Sequence, residues 1–112
     1  MNISTTNWSF HSAATSTGNG EVFYPNKNDT LTIEITGTAT SSTIIFEGQG
    51  GSDTWYAIQG VKLSDFSMAS QTTGKGELWQ FDLSGIKAFR ARISAISGGN
   101  ISVTGRAVIS NG

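Results

Sequence analysis

Apolar and polar residues alternate with a period of two along most of this chain, which is the pattern of half-buried β-strands. Leu31, Ile33 and Ile35, for example, alternate with Thr and Glu residues. No segment keeps the apolar spacing of an amphipathic helix, and residues 61–69 predict at most one helical turn. Eight segments show the strand pattern, four of them clearly (residues 30–36, 79–83, 89–94 and 101–110) and four weakly (residues 8–14, 21–24, 43–47 and 55–58).

Turn-forming residues separate these segments. Asn19-Gly20 and the Gly-Gly-Asn run at 98–100 predict tight hairpin turns, because both residue types accept a positive φ. Residues 71–76 predict an exposed, mobile loop. Short strands at this spacing favour an all-β fold, an antiparallel β-sandwich that is jelly-roll-like with about eight strands. The length of 112 residues favours a single domain over residues 1–112.

One face of each strand is expected to lie in a shared core. His11, the only histidine, is out of phase with Trp8 and Phe10, so we predict that it faces solvent. The residues predicted to be buried together are Ile33, Phe46, Trp79, Phe81, Phe89, Ile93 and Val103.

The composition excludes several classes of protein. Only 13% of residues are charged, the net charge is −1, and 15 Ser, 14 Thr and 14 Gly are present. A nucleic-acid-binding domain would be more basic, so no nucleic-acid partner is expected. No signal peptide or apolar membrane span is apparent, so no membrane partner is expected. Because cysteine is absent, no disulfide can form.

Catalytic and metal-binding patterns are absent as well. A single histidine, no cysteine and scattered carboxylates favour neither a zinc site nor a catalytic constellation, so we predict no enzyme, no catalytic residue and no cofactor. The Gly-rich run at 48–53 predicts a flexible turn. Calcium held between loops by Asp53, with oxygens of Asp29 or Asp65, is kept as an alternative.

The charges are divided unevenly between the two halves of the chain. Residues 1–60 contain five acidic residues and one Lys, a net charge of −4, whereas residues 61–112 contain six basic and three acidic residues, a net charge of +3. In a sandwich whose strands interleave, these charges are expected to mix. If the two halves instead lay on different faces, opposite charges of neighbouring subunits could meet in a closed ring.

Three arginines near the end of the chain are the predicted interface residues. Gly85 permits a tight corner, after which Arg90 and Arg92 are expected on an outer face beside Arg106 on the neighbouring strand. Like charges repel unless a carboxylate covers them. We expect that carboxylate to be Asp82 or an acidic face of a second subunit, and we favour a homo-oligomer over a monomer.

Two adjacent aromatic residues are candidates for ligand stacking. Trp55 and Tyr56 follow each other on a predicted strand, so their side chains point to opposite faces and one of them is expected to lie outside the core. An exposed aromatic ring beside polar groups suits the face of a sugar. A carbohydrate-binding module, with a glycan as partner, is therefore the alternative to an assembly protein.

Several segments resemble a family of small β-sandwich domains in the virion proteins of bacteriophages and prophages. The resemblance extends over roughly residues 30–109 and is carried by four runs: residues 44–48, 51–58, 78–93 and 98–105. It implies a non-catalytic structural component of a virion, with other virion proteins or further copies of the chain as partners. We expect it to be tail-associated, made in the cytoplasm of the bacterial host and located in the virion.

Overall fold

The computed structural model describes residues 5–109, which form ten strands and no helix. Within this range no helix therefore has the length and hydropathy to cross a membrane. The strands are β1 (Thr5–Ala14), β2 (Thr30–Gly37), β3 (Ser41–Gln49), β4 (Tyr56–Ala57), β5 (Gly60–Lys62), β6 (Met68–Ala69), β7 (Gln71–Thr72), β8 (Glu77–Asp82), β9 (Ala88–Ser97) and β10 (Ile101–Val108).

The strands form two antiparallel sheets. The six-stranded sheet has the order β1-β10-β2-β8-β5-β6. In the second sheet β3 pairs with β9 along one edge and with the short strands β4 and β7 along the other. The chain crosses repeatedly between the sheets, so the predicted antiparallel sandwich of jelly-roll type is confirmed. The strand count exceeds the prediction because β4, β5, β6 and β7 have only two or three residues each.

One apolar cluster fills the space between the sheets. The ring of Phe81 in β8 packs against Phe46 of β3 and Phe89 of β9, with centroid distances of 4.8 and 4.9 Å. Such aromatic contacts join the two sheets directly. All seven residues predicted to be buried together belong to this cluster, so the core prediction is confirmed.

The prediction for His11 was wrong. The pairing of β1 with β10 shifts between Ser9 and His11, a β-bulge that places Phe10 and His11 on the inner side in succession. The His11 side chain is only 9% exposed, and its Nε2 lies 2.6 Å from the carbonyl oxygen of Ala91 in the other sheet. Alternation assumes an unbroken strand, so it could not reveal the inserted residue.

Residues 61–69, predicted to form at most one helical turn, lie in the β5–β6 hairpin, whose tip has one turn closed by the hydrogen bond from Phe66 N to Lys62 O. Three other local predictions need correction. Residues 21–24 form no strand beyond an isolated bridge at Phe23. Asn19-Gly20 therefore closes no hairpin. In the predicted mobile loop at 71–76, the first two residues are strand β7.

The glycine turn at 98–100 connects two sheets and is not a hairpin. β9 pairs with β3, whereas β10 pairs with β1 and β2. Gly98 adopts a φ of +74°, and a Cβ there would overlap the hydroxyl oxygen of Thr40. Glycine is thus required both by the backbone conformation and by the close approach of Thr40.

Candidate functional site

The three predicted interface arginines lie on different sheets. Arg90 and Arg92 are on β9 in the four-stranded part of the sandwich, whereas Arg106 is on β10 in the six-stranded sheet. The expectation that Arg106 neighbours the other two was wrong, because consecutive strands here cross from one sheet to the other. Their role at an interface stays a prediction.

Arg90 and Arg92 share one carboxylate, that of Glu47 on β3. Arg90 Nε donates to Glu47 Oε1 at 2.8 Å, while Arg92 donates from Nε to Oε1 and from Nη2 to Oε2, both at 3.1 Å. Glu47 is opposite Arg90 in the β3–β9 register and two pairs away from the Ile45–Arg92 position, so all three side chains lie on the same face. We call these three residues the Arg–Glu cluster. It contains two positive charges and one negative charge, so it keeps a net charge of +1.

The geometry of the cluster also explains the titration of Glu47. Partial burial raises the pKa of this carboxyl, but the hydrogen bonds from Arg92 and Arg90 and their positive charges outweigh that effect. The net pKa therefore lies below its ordinary value of 4.5. The same contact raises the pKa of Arg92. The carboxylate stays ionised near neutral pH, and both guanidinium groups are held in place.

Trp55 extends this cluster. The Cζ atom of Arg90 lies 4.1 Å from the centre of the Trp55 ring, which is a cation–π contact. One face of Trp55 is therefore occupied by a guanidinium group, while the next side chain, Tyr56, is 62% exposed. A ligand-stacking role for this pair stays a prediction, and Tyr56 has the more accessible ring.

The carboxylates considered for calcium have other contacts. Asp53 Oδ1 accepts a hydrogen bond from Lys87 Nζ at 2.8 Å, and Asp65 Oδ1 accepts from the backbone and hydroxyl of Ser67. These contacts lower the pKa of both carboxyls. Across residues 5–109, no three His, Asp or Glu side chains are grouped as metal ligands.

Sequence reasoning missed the two carboxylates that organise the charges. Besides Glu47, Glu77 accepts hydrogen bonds from Trp79 Nε1 at 2.9 Å and Thr72 Oγ1 at 2.7 Å, and its Oε2 lies 3.2 Å from Lys62 Nζ. Glu47 lies in the strand predicted over residues 43–47, and Glu77 lies just before the strand predicted over residues 79–83. The partners of Glu47 are 43 and 45 residues away, and the contacts of Glu77 with Thr72 and Lys62 depend on how β5 and β7 pack beside β8, so alternation alone could not reveal them. The ion pairs do confirm that charges from the two halves of the chain mix.

The sequence profile of the XepA family matches residues 4–107. This chain belongs to the XepA family. The phage-like element PBSX protein XepA of Bacillus subtilis strain 168 is 39% identical to it over 99 residues, which are 88% of this chain and 36% of that protein. The protein YqxG of the same strain is 38% identical over 99 residues, 88% of this chain and 33% of YqxG. The chain thus spans about a third of the length of these two curated relatives.

A shorter relative matches over most of its own length. The SPbeta prophage-derived protein YomS of Bacillus subtilis strain 168 is 34% identical over 93 residues, which are 83% of this chain and 79% of YomS. The crystal structure of YomS superimposes with a TM-score of 0.92 at 30% identity over 96% of both chains. That of XepA, described as a PBSX exported protein, superimposes with a TM-score of 0.94 at 37% identity, over 96% of this chain and 39% of XepA.

These relatives place the chain among phage-associated proteins. Two of them are named as products of phage-like or prophage elements, which agrees with the resemblance seen in the sequence. Neither the family nor the names of the relatives indicate a catalytic activity. The same domain corresponds to nearly all of YomS and to about a third of XepA, so it is a unit that occurs both alone and within a longer chain.

Proposed function

We propose that this chain is a non-catalytic structural component of a phage or prophage virion, associated with the tail and acting through protein–protein contacts. The observation that carries the proposal is the near-complete structural match to the prophage-derived YomS. A domain that occurs both alone and inside a longer relative is typical of a structural module that acts through contacts on its surface. Its partners are other virion proteins or further copies of itself, and its site of action is the virion after synthesis in the host cytoplasm.

The Arg–Glu cluster is the surface we assign to assembly. It keeps one uncompensated positive charge, and only Nε of the Arg90 guanidinium donates to Glu47. Tyr56, strongly exposed, lies on β4, which pairs with β3 beside Glu47. Exposed tyrosine and arginine side chains are enriched at protein interfaces, and the planar fork of arginine suits a carboxylate partner.

A complementary acidic region lies on the other sheet. Asp29 and Asp82 are close enough that the charge of Asp29 raises the pKa of Asp82, although hydrogen bonds with Ser84 hold the net value below its ordinary one. If this region of one subunit meets the Arg–Glu cluster of the next, the contact is head-to-tail. Contacts of that kind close into a ring when the rotation between subunits permits.

Light scattering after size-exclusion chromatography tests self-assembly. At tens of micromolar protein and low salt we expect an oligomer, and we expect high salt to weaken it because the contact is electrostatic. Tyr56→Ser, at an exposed site that should tolerate substitution, should shift the equilibrium towards monomer, as should Arg90→Ala together with Arg92→Ala. Arg106→Ala, on the sheet that carries the acidic region, tests separately whether the third predicted arginine contributes to the contact. A parent protein that is monomeric under these conditions would refute assembly of the isolated chain.

Membership of the virion is a separate question with its own experiment. Particles induced from a lysogen that carries this gene are purified on a density gradient and analysed by mass spectrometry. We expect the chain to be present in intact particles and in the separated tail fraction. Its presence only in the unassembled lysate would contradict the structural role, even for a chain that forms oligomers.

A further inference from the structure

The outer face of the six-stranded sheet carries a groove, and no residue of the Arg–Glu cluster lines it. It has a volume of about 640 Å³ and runs across β1, β10, β2 and β8. That volume is within the range of sites for small ligands. The side chains that line it form two rows across the strands: Asn7, Arg106 and Thr32 in one row, and Ser9, Thr104, Glu34 and Leu78 in the other.

Two opposite charges, those of Glu34 and Arg106, face this groove. Glu34 and Arg106 lie on adjacent strands two pairs apart and on the same face, since Glu34 is opposite Thr104 and Arg106 is opposite Thr32. Within residues 5–109, neither side chain forms an ion pair or a side-chain hydrogen bond. The groove therefore offers one carboxylate acceptor and one guanidinium donor on neighbouring strands, with a net charge of zero.

An apolar contact lies beside the carboxylate. Leu78 is opposite Glu34 in the β2–β8 register, and its side chain is 46% exposed although it is large and apolar. Trp8 borders the groove on β1, but its ring packs against Phe23 on the core side of the sheet, so Leu78 is the exposed apolar side chain of the groove. A ligand that fits must therefore combine a hydrogen-bond donor and acceptor with a small apolar group.

This combination argues against several classes of ligand. An anion or nucleic acid would meet the carboxylate of Glu34, and a hydrocarbon would leave both charges desolvated and unpaired. An extended peptide is bound mainly through its main chain at a sheet edge, whereas β10 and β2 are inner strands whose backbone groups already pair with their neighbours. A secondary amide fits, because its N–H donates to a carboxylate, its C=O accepts from a guanidinium group and its methyl group can pack on leucine.

We propose that this groove binds a neutral oligosaccharide that carries acetamido groups. The acetamido N–H donates to Glu34, the acetamido oxygen accepts from Arg106, and the acetamido methyl group packs against Leu78. Sugar hydroxyls, which both donate and accept, pair with Asn7 and the Ser and Thr hydroxyls of the two rows. The proposal is independent of whether the chain assembles.

Side-chain N–H signals provide a test that locates the ligand. The Asn7 amide lines the groove, Trp55 lies under Arg90 on the other sheet, and Trp79 is buried in the core. Their side-chain N–H signals are assigned in ¹⁵N-edited NMR spectra with the single variants Asn7→Asp, Trp55→Phe and Trp79→Phe. The protein is then titrated to millimolar concentration with the tetramer of N-acetylglucosamine, and the tetramer of glucose is the matched ligand without acetamido groups.

We expect the Asn7 side-chain signals to shift with the acetylated tetramer and those of Trp55 and Trp79 to stay unchanged. Glu34→Gln and Leu78→Ser should each weaken binding about tenfold or more, as expected for the loss of a hydrogen bond to a charged group or of an apolar contact. Tyr56→Ser, on the other sheet, should leave binding unchanged, and so serves as the control.

Each remaining outcome overturns the proposal. A shift at Trp55 alone would place the sugar at the Trp55–Tyr56 pair instead. Equal shifts with both tetramers would remove the acetamido group as the recognised feature. An equal response to an N-acetylated tetra-alanine peptide would favour a peptide ligand, and no shift up to millimolar acetylated tetramer would exclude the groove as a sugar site.

Discussion

Replacing Glu47 with glutamine removes the charge that holds two arginines while keeping the shape of the side chain. Three hydrogen bonds of the carboxylate depend on that charge, at 2.8, 3.1 and 3.1 Å. The glutamine oxygen can still accept from one guanidinium group, but its NH₂ group faces the donors of the other. Two positive charges are then left close together without a counter-ion.

The size of the effect follows from burial. Removing one partner of a fully buried ion pair costs about 3–5 kcal/mol. The Glu47 and Arg90 side chains are largely buried, but that of Arg92 is 32% exposed, so water replaces part of what is lost. We therefore expect Glu47→Gln to lower the free energy of unfolding by about 2–4 kcal/mol, a large part of the roughly 5–15 kcal/mol of a typical domain.

Urea-induced unfolding at pH 7, followed by far-UV circular dichroism, measures this loss. Parent and variants are compared at one protein concentration, because assembly would make the apparent stability depend on it. Glu34→Gln makes the same chemical change at an exposed residue that has no ion pair within residues 5–109, and it should change the stability by no more than about 0.5 kcal/mol. Equal effects of the two substitutions would show that the Arg–Glu cluster does not stabilise the sandwich.

Two further predictions concern acid stability and packing. The pKa values of Glu47 and Glu77 are lowered in the folded protein, so the unfolded state binds more protons in acid. The stability that these two carboxylates contribute should be complete above their ordinary pKa of 4.5 and should decrease as the pH falls below it. The decrease should be shallower in Glu47→Gln. An equally steep decrease in that variant would contradict a contribution of Glu47 to acid stability. Gly60→Ala should cost about 1–3 kcal/mol, since its Cβ would lie 2.4 Å from the Phe81 ring. In a Phe81→Leu background, Gly60→Ala should lower the free energy of unfolding by less, and an equal loss there would refute the clash with the Phe81 ring. Gly50→Ala, at a position with open space around it, is the control.

Alternation of residue types was enough to establish the fold class and most of the core. Side chains on a strand point alternately to the two faces, so the sequence itself determines which positions can be inward. Phe81, Phe89 and Val103 were predicted to be buried on this basis, and they are. Gly85 was likewise predicted at a corner, and it connects β8 to β9 with a φ of +80°.

What only the tertiary structure decided is which strands are neighbours. Arg92 and Arg106 both face outwards from strands that are consecutive in the sequence, yet β9 and β10 belong to different sheets. The partner of Arg90 and Arg92 is Glu47, more than 40 residues earlier in the chain. Pairing between strands distant in the sequence also forms the groove at Glu34 and Arg106. It likewise produces the β-bulge that turns His11 inwards. Periodicity specifies the face on which a side chain lies, but the contacts on that face are set by packing between distant segments.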